Sequence, residues 1–357
     1  MILNTNLVMV MHGCKLKDFG RLQYYYRKYS NMPRYKVFVT RSDYPKNSIA
    51  MLEGKCEVDM WDHEKFGEIK KDNLLKKLKG VHGLFCCLND RIDEDIIKAA
   101  PDLKVISTMS VGVDHIDIKS LKAANIKLGY TPDVLTEATA ELTVALLLAT
   151  SRRLFEANSA IIRGEWKSAW APVWMCGPGL KGSTVGVVGF GRIGQSVAAK
   201  LKCFGIYKLL YSANSEKSQG KELGATFTTL DNLLKESDFV IVTCSLNEKT
   251  KNLFTKEKFE QMKPTAIFIN SSRGGVVDQD ALYDALKNSK IRAAGLDVMT
   301  PEPLPSDHKL LTLSNCVILP HIGSATYQTR MSMSDLVVRN ILTALNGDKM
   351  PAEYNLD

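Results

Sequence analysis

Short apolar runs alternate with segments of helical periodicity along most of the chain. The first series of such runs lies at residues 35–40, 56–60, 83–87, 104–108 and 126–128. A second series lies at residues 184–189, 207–211, 239–244, 266–270, 291–298 and 316–319. Alternation of this kind is typical of parallel α/β sheets, so the pattern predicts two of them, the second a doubly wound sheet of six strands.

Two long helical patterns suggest how the predicted sheets are connected. Residues 134–154 are apolar on nearly every side, which predicts a helix buried on several sides and contributing to a subunit interface. Residues 325–345 form a last helix with no strand left to join, so we expect it to return to the first sheet. The predicted division is therefore a discontinuous domain, 32–131 with 322–357, around a second domain, 132–321.

Charge and cysteine usage exclude several classes of protein. Of the net charge of +8, residues 1–36 supply +6, so the folded body is nearly neutral and we expect no nucleic-acid partner. The most apolar stretch, 142–150, is too short to span a bilayer, and we expect no membrane partner. Eight cysteines occur without a CxxC spacing, which favours buried, reduced thiols in the cytoplasm and predicts no metal site.

Residues 1–31 form an acid-poor extension rich in lysine, arginine and tyrosine. Three interpretations stay open: an unstructured extension, an upstream start before a shorter protein that begins at Met32, and a mitochondrial transit peptide.

A glycine-rich turn follows the first strand of the second series. Its sequence is Gly189-Phe-Gly191-Arg192-Ile193-Gly194, and a helical pattern opens directly after it. The first glycine permits a tight turn, the second lets backbone approach a pyrophosphate, and the third permits close helix–strand packing. A helix N-terminus also offers free N–H groups to an anion, so the turn predicts a dinucleotide site to which Arg192 adds a phosphate contact.

The end of the next strand bears on the choice of dinucleotide. An NAD site usually carries an acidic residue there to bind the ribose 2′-hydroxyl. This chain instead has Ser212, Asn214 and Ser215, with Lys217 close behind them. Hydroxyl, amide and ammonium groups suit a 2′-phosphate, so the sequence favours NADPH over NADH.

Three polar residues near the C-terminal end each follow an apolar run. They are Arg273, Glu302 and His321. Because ligands bind at the carboxyl ends of strands in open α/β sheets, we expect one cleft to gather them. A guanidinium can bind the carboxylate of a 2-keto acid, and an imidazole can protonate its carbonyl oxygen. A neighbouring carboxylate favours the charged form of that imidazole. His82 and His115 are predicted to be structural.

These residues lie within motifs that resemble the D-2-hydroxyacid dehydrogenase family from about residue 35 to 356. The motifs are at 103–115, 129–135, 270–274, 294–298, 301–303 and 318–325. The resemblance implies a flavodoxin-like substrate domain, a Rossmann nucleotide-binding domain, and NADPH-dependent reduction of small 2-keto acids such as glyoxylate and hydroxypyruvate. It also implies a homodimer formed through the nucleotide-binding domain.

The resemblance also implies roles for individual residues. Arg273 would bind substrate and polarise its carbonyl, Glu302 would set the charge state of its neighbour, and His321 would act as acid and base. Further substrate contacts would come from Val111, Gly112 and Ser324, and cofactor contacts from Ile193, Ser245, Ser271, Asp297 and Gly323. Trp170 would either reach the partner subunit's active site or be a core aromatic. An Arg is expected near position 214 in NADPH-dependent members, and this chain has Asn214.

Three other functions are found on the same architecture. Glu302 argues against a formate dehydrogenase, which pairs its His with Gln. A short phosphoglycerate dehydrogenase stays open. So does an NAD(H)-sensing corepressor, although such a protein would be expected to carry an acidic residue near position 212 and a longer tail.

Overall fold

The protein was analysed as a computed structural model that describes residues 34–357. The extension predicted at 1–31 lies outside the described residues. The first sheet is parallel and has the strand order β2-β1-β3-β4-β5, as in flavodoxin-like folds. Its strands are β1 Lys36–Val39, β2 Glu57–Met60, β3 Gly83–Cys86, β4 Val105–Thr108 and β5 Lys127–Gly129.

The second sheet is also parallel, with the order β12-β11-β10-β9-β6-β7-β8, which is a Rossmann arrangement extended by a seventh strand. Its strands are β6 Thr184–Val188, β7 Lys208–Ser212, β8 Thr226–Phe227, β9 Phe239–Val242, β10 Ile267–Asn270, β11 Ala293–Leu296 and β12 Cys316–Ile318. Strands β9 and β10 are buried along their whole length, which explains why their sequences are largely continuous apolar runs without a polar–apolar alternation.

The α-helices of the first half of the described chain are α1 Lys46–Glu53, α2 His63–Phe66, α3 Lys71–Lys77, α4 Glu94–Lys98, α5 Ile118–Ala123, α6 Thr136–Ser151 and α7 Leu154–Ile162. Those of the second half are α8 Arg192–Lys202, α9 Ser218–Glu222, α10 Leu230–Glu236, α11 Lys256–Glu260, α12 Gln279–Lys287 and α13 Tyr327–Leu345. Two 3₁₀ turns occupy Gly274–Val276 and Lys309–Thr312.

The packing of the long helices explains the connection between the two sheets. Helix α13 packs on β3, β4, β5 and α1, so the chain does return to the first sheet after the second is complete. Its buried residues include Val337, Val338 and Ile341, which join the core of the first sheet. Helix α6 packs on β10, β11, β12 and α8, so its extended apolar surface is largely covered within the chain.

The structure corrects three details of the sequence interpretation. The second sheet has seven strands rather than six, because a two-residue exposed strand, Thr226–Phe227, pairs at its edge. Helix α8 begins at Arg192 rather than Gln195, directly at the glycine-rich turn. Cys176 and Cys203 are exposed rather than buried, and the seven cysteines within the described range form no disulfide. Within residues 34–357 no helix is long and apolar enough to cross a bilayer.

Candidate active site

A cavity of about 400 Å³ lies where the carboxyl ends of strands from both sheets face each other. The first sheet contributes the loop after β4, and the second contributes loops after β9, β10, β11 and β12. Residues from the predicted substrate and cofactor sets line it together: Val111, Gly112, Ile193, Ser245, Ser271, Arg273, Asp297, His321, Gly323 and Ser324. The topology thus brings together residues more than 200 positions apart in the sequence.

His321 and Glu302 form a close pair at this cavity. The imidazole Nδ1 lies 2.8 Å from Glu302 Oε2, and the other carboxylate oxygen accepts the Met299 N–H at 2.9 Å. Because a carboxylate only accepts, Nδ1 carries the proton, which leaves Nε2 as the atom available to a substrate. Burial opposes ionisation of the carboxyl, but the hydrogen bond and charge of His321 outweigh it and lower the pKa of Glu302. The His321 backbone adopts a left-handed conformation with φ of 53°, which is unusual for this residue type.

Arg273 reaches across from the second sheet to the loop of the first. Its Nε donates to Asp114 Oδ1 at 3.1 Å, and its Nη1 donates to the Ser272 carbonyl at 2.9 Å. Nη2 lies next to Gly112, so close that a side chain at that position would collide with it. Two of the three guanidinium nitrogens are therefore fixed by the protein. Among the described residues the third has no partner.

The loop that faces Arg273 is held from behind by buried polar groups. Ser110 Oγ donates to the Gly112 carbonyl at 2.7 Å, and Thr108 Oγ1 lies 3.0 Å from both Ser110 Oγ and His115 Nε2. Burial lowers the pKa of His115 to about 4, so this ring is neutral at physiological pH. Within residues 34–357 the N–H groups of Val111 and Gly112 have no backbone acceptor, which leaves both free to bind an anion.

Asp297 anchors the segment that follows His321. Its two carboxylate oxygens accept the N–H groups of Ile322 and Gly323, each at 2.8 Å. Burial raises the pKa of this carboxyl, while the N–H donors act in the opposite direction. Ser324 is held next to these residues and also lines the cavity. The local geometry of His321 therefore depends on a buried acid from the neighbouring strand.

The glycine-rich turn has the geometry that a dinucleotide phosphate requires. Gly189 has φ of 91°, and a side chain there would press on the backbone of Cys244. A side chain at Gly194 would collide with the Gly189 carbonyl oxygen, whereas the space in front of Gly191 is open. Helix α8 begins here without a side-chain cap, so its first N–H groups point into open space. These features fit a pyrophosphate, whereas Arg192 forms an ion pair with Asp133.

The turn after β7 presents polar groups and a cation. Asn214 and Ser215 are exposed, Ser212 is half-buried, and Lys217 Nζ lies 3.0 Å from Ser215 Oγ. The Lys217 backbone N–H donates to the Tyr211 hydroxyl at 2.9 Å, which fixes the turn. Ser271, another predicted cofactor contact, lines the cavity itself, and its Oγ lies 2.7 Å from Thr143 Oγ1.

Trp170, a predicted substrate contact, does not line the cavity of its own chain. It is 76% exposed, so the interpretation as a core aromatic is wrong. Several large apolar neighbours in the same region are exposed as well: Leu154, Phe155, Ile161, Ile162, Trp166, Val173 and Trp174.

Two charged residues at the cavity were not identified from the sequence. Asp114 binds Arg273, and Arg330 lies in the first turn of α13. Asp114 follows the Val111–Gly112 loop within the motif at 103–115. This position is only a weak sequence signal that Asp114 contributes to the site. Nothing in the sequence distinguishes Arg330 from a surface arginine. Among residues 34–357 no group of three or more His, Cys, Asp or Glu side chains could hold a metal ion.

Comparison with known proteins agrees with this geometry. The family model described as D-isomer specific 2-hydroxyacid dehydrogenase, NAD binding domain, matches residues 144–323. The chain is 51% identical to a glyoxylate reductase/hydroxypyruvate reductase of Homo sapiens over 324 residues, covering 90% of this chain and 98% of that protein. It is 45% identical to a glyoxylate reductase of Thermococcus kodakarensis over 325 residues, covering 90% and 96%.

Solved structures show the same fold. A protein of Thermus thermophilus superposes with a TM-score of 0.82 at 41% identity, covering 90% of this chain and all of that one. An NADPH-dependent glyoxylate/hydroxypyruvate reductase of Sinorhizobium meliloti, in complex with NADP and malonate, superposes with a TM-score of 0.79 at 29% identity, covering 90% and 97%. The fold, the glycine-rich turn and the His321–Glu302 pair agree with these matches. The chain therefore belongs to the D-isomer specific 2-hydroxyacid dehydrogenase family.

Proposed function

We propose that this enzyme reduces small 2-keto acids with NADPH, converting glyoxylate to glycolate and hydroxypyruvate to D-glycerate. The observation that carries the proposal is the His321–Glu302 pair, 2.8 Å apart, at the same cavity as the unpartnered Nη2 of Arg273. The names of the human, Thermococcus and Sinorhizobium relatives support both substrates. In this proposal, residues 32–131 with 322–357 form the substrate-binding domain, and residues 132–321 form the nucleotide-binding domain, which also contributes Arg273 and His321 to the substrate site.

The substrate carboxylate is bound by backbone and guanidinium together. Val111 and Gly112 offer free N–H groups, and Arg273 Nη2 lies against the same loop. Asp114 holds the guanidinium in place, so little conformational entropy remains to be lost on binding. The carbonyl oxygen then lies between Arg273 and His321, where a cation stabilises the negative charge that develops during reduction.

His321 supplies the proton in this mechanism. In its charged form Nε2 donates to the carbonyl oxygen while Glu302 keeps Nδ1 protonated. In the reverse direction the neutral ring accepts the proton from the hydroxyl group. Glu302 acts through His321 and does not itself contact the substrate. When bound, a nicotinamide cofactor would supply the hydride, and Asp297, Ser271 and Gly323 line the cavity where its ring would be held.

The cofactor preference rests on the turn after β7. An ammonium group, Lys217 Nζ, stands 3.0 Å from Ser215 Oγ, and Ser212 and Asn214 complete a polar surface there. A 2′-phosphate would receive hydrogen bonds and a positive charge from this surface. The ribose-binding acid expected of an NAD enzyme is absent from positions 212–215. Ser245 and Ile193 would contact the remainder of the dinucleotide.

The exposed apolar region around Trp170 supports a homodimer formed through the nucleotide-binding domain. Ile162 is 78% exposed, Val173 is 83% exposed, and both lie near Trp170 in sequence. An apolar surface of this kind is typical of a protein–protein interface. In the proposed dimer, Trp170 closes the substrate cavity of the partner subunit.

Subunit mixing tests that arrangement. A hybrid of one His321→Ala subunit and one Trp170→Ala subunit retains one complete site, whereas each parent variant has none. Activity should therefore reappear when the two variants are denatured and refolded together. A monomer by light scattering, or no recovery in a verified hybrid, would contradict the proposal.

The substrate and cofactor proposals are tested together by one kinetic panel. Purified enzyme is assayed with glyoxylate, hydroxypyruvate, phosphohydroxypyruvate and pyruvate, with NADPH and NADH in parallel. The expected result is turnover of glyoxylate and hydroxypyruvate with a higher kcat/KM for NADPH. Preference for phosphohydroxypyruvate would identify a short phosphoglycerate dehydrogenase instead. Tight NAD(H) binding without turnover of any acid would indicate a dinucleotide sensor.

A further inference from the structure

Arg330 is a second arginine at the substrate cavity, and the mechanism above does not use it. It lies on the fourth residue of helix α13, nine positions after His321, and its side chain is half-buried. It lines the cavity together with Ser324, Met333 and Met109. Because α13 packs on the first sheet, Arg330 faces the cavity from the substrate side and not from the glycine-rich turn.

The Arg330 backbone N–H donates to the Thr326 carbonyl, but its guanidinium forms no hydrogen bond or ion pair with any residue in the described range 34–357. Burial lowers the pKa of its guanidinium, which reflects the cost of keeping an unpaired charge in this position. Arg273, the other arginine of the cavity, differs because Asp114 neutralises it.

Three carboxylates in this part of the structure are engaged elsewhere. They are Asp297, whose charge acts on Arg330, and Asp90 and Asp43, which bind Cys87 and Arg41, two further residues whose charges act on it. Asp297 accepts two backbone N–H groups, as described above. Asp90 accepts the Thr40 hydroxyl at 2.7 Å and the Cys87 N–H at 2.9 Å. Asp43 accepts hydrogen bonds from two of the three guanidinium nitrogens of Arg41, Nε at 2.8 Å and Nη2 at 2.7 Å. Arg330 is therefore a donor without an acceptor at the edge of a cavity built for an anion.

The wall around Arg330 is otherwise suited to a carbon chain. Leu88, Met109 and Met333 are apolar and line the same cavity as Arg330. A substrate held at its carboxylate by Arg273 and the Val111–Gly112 loop extends its third carbon away from those groups. An oxygen on that carbon would meet a guanidinium in an otherwise apolar wall, whereas a methyl group would leave the guanidinium unpaired.

We propose that Arg330 is a specificity-determining residue that donates a hydrogen bond to an oxygen substituent on the third carbon of the substrate. The enzyme would then favour 2-keto acids of the hydroxypyruvate type over pyruvate, which has the same carbon skeleton without the hydroxyl group. This inference rests on the proposed function, because it concerns the substrate of the same site.

The experiment compares hydroxypyruvate with pyruvate in the wild type, in Arg330→Gln and in Arg330→Lys. Wild-type enzyme should favour hydroxypyruvate over pyruvate in kcat/KM by at least about tenfold, because only hydroxypyruvate has an oxygen on the third carbon that can accept a hydrogen bond from the charged guanidinium. Arg330→Gln should reduce that ratio about tenfold or more, mainly through a higher KM for hydroxypyruvate. Arg330→Lys should restore part of the ratio. The matched control is Arg339→Gln, an exposed arginine on the same helix, which should leave the ratio unchanged.

Several results would overturn the inference. A wild-type enzyme that uses pyruvate as well as hydroxypyruvate contradicts it without any variant. An unchanged ratio in Arg330→Gln also contradicts it, whether both activities fall equally or neither falls. NADPH titration by fluorescence verifies that each variant is folded. If the wild type reduces neither glyoxylate nor hydroxypyruvate, the proposed function itself fails, which is a separate outcome.

Discussion

Replacing Glu302 with Gln separates the charge of this residue from its shape. The amide fills the same space and can still accept the Met299 N–H, but it removes the negative charge 2.8 Å from His321 Nδ1. Glu302 is 23% exposed and His321 is 25% exposed, so solvent screens the pair only in part. A hydrogen bond between charged groups in such a setting contributes about 1.5–3 kcal/mol. This corresponds to a rate change of about tenfold to a hundredfold.

The sign of the pH effect follows from the coupling between the two groups. The charge of His321 lowers the pKa of Glu302, so by reciprocity the carboxylate favours the charged imidazole. In the proposed mechanism reduction uses the charged ring, so we expect its rate to be retained at low pH and lost as the pH rises. Because Glu302→Gln removes this negative charge, the variant should lose more of the reduction rate than of the oxidation rate, and the loss should be greater at high pH than at low pH. Oxidation of D-glycerate uses the neutral ring and should be retained near pH 8.

The assay is the initial rate of NADPH oxidation with hydroxypyruvate between pH 5 and 9, with the reverse reaction measured in parallel. The matched control is Glu257→Gln, which removes an exposed carboxylate of the same domain and should leave both profiles unchanged. An unchanged pH profile for Glu302→Gln would refute the assignment of Glu302 as the partner of a proton donor. Equal loss in both directions at every pH would also refute it, because that pattern indicates disrupted binding.

Three further predictions concern the cofactor, the substrate loop and the glycine-rich turn. Lys217→Met should lower kcat/KM for NADPH about tenfold and leave that for NADH unchanged, with Lys221→Met as the exposed neighbouring control. Asp114→Asn should raise KM for the keto acid about tenfold by releasing the guanidinium that it holds, while the NADPH dissociation constant is unchanged; an unaltered KM would contradict this. Gly194→Ala should lower Tm by several degrees because the new Cβ meets backbone, whereas Gly191→Ala, which meets open space, should not.

Much of the fold could be predicted because buried parallel strands have a strong sequence signature. Strands β9 and β10 are buried throughout and apolar except at Asn270, and the predicted runs at 239–244 and 266–270 enclose them. Strand β8 was missed because Thr226 and Phe227 are both exposed and form only two pairs with β7. Its position depends on a neighbouring strand and not on its own residues.

The site was predictable to the extent that strand ends define it. Arg273 and His321 both follow strands of one sheet, so the topology alone brings them to one cavity. Asp114 and Arg330 could not be identified in this way. Asp114 acts on a residue 159 positions away, and the importance of Arg330 lies in the absence of a partner among the described residues. Neither relation is visible in a local pattern.

The central claim is that His321 delivers the proton when this enzyme reduces a 2-keto acid. The most direct test measures NADPH oxidation with hydroxypyruvate by wild type and by His321→Ala, with NADPH binding followed by fluorescence in the same preparations. The account predicts that the variant binds NADPH with an unchanged dissociation constant and reduces hydroxypyruvate at least about a hundredfold more slowly. Reduction at the wild-type rate by His321→Ala would contradict it.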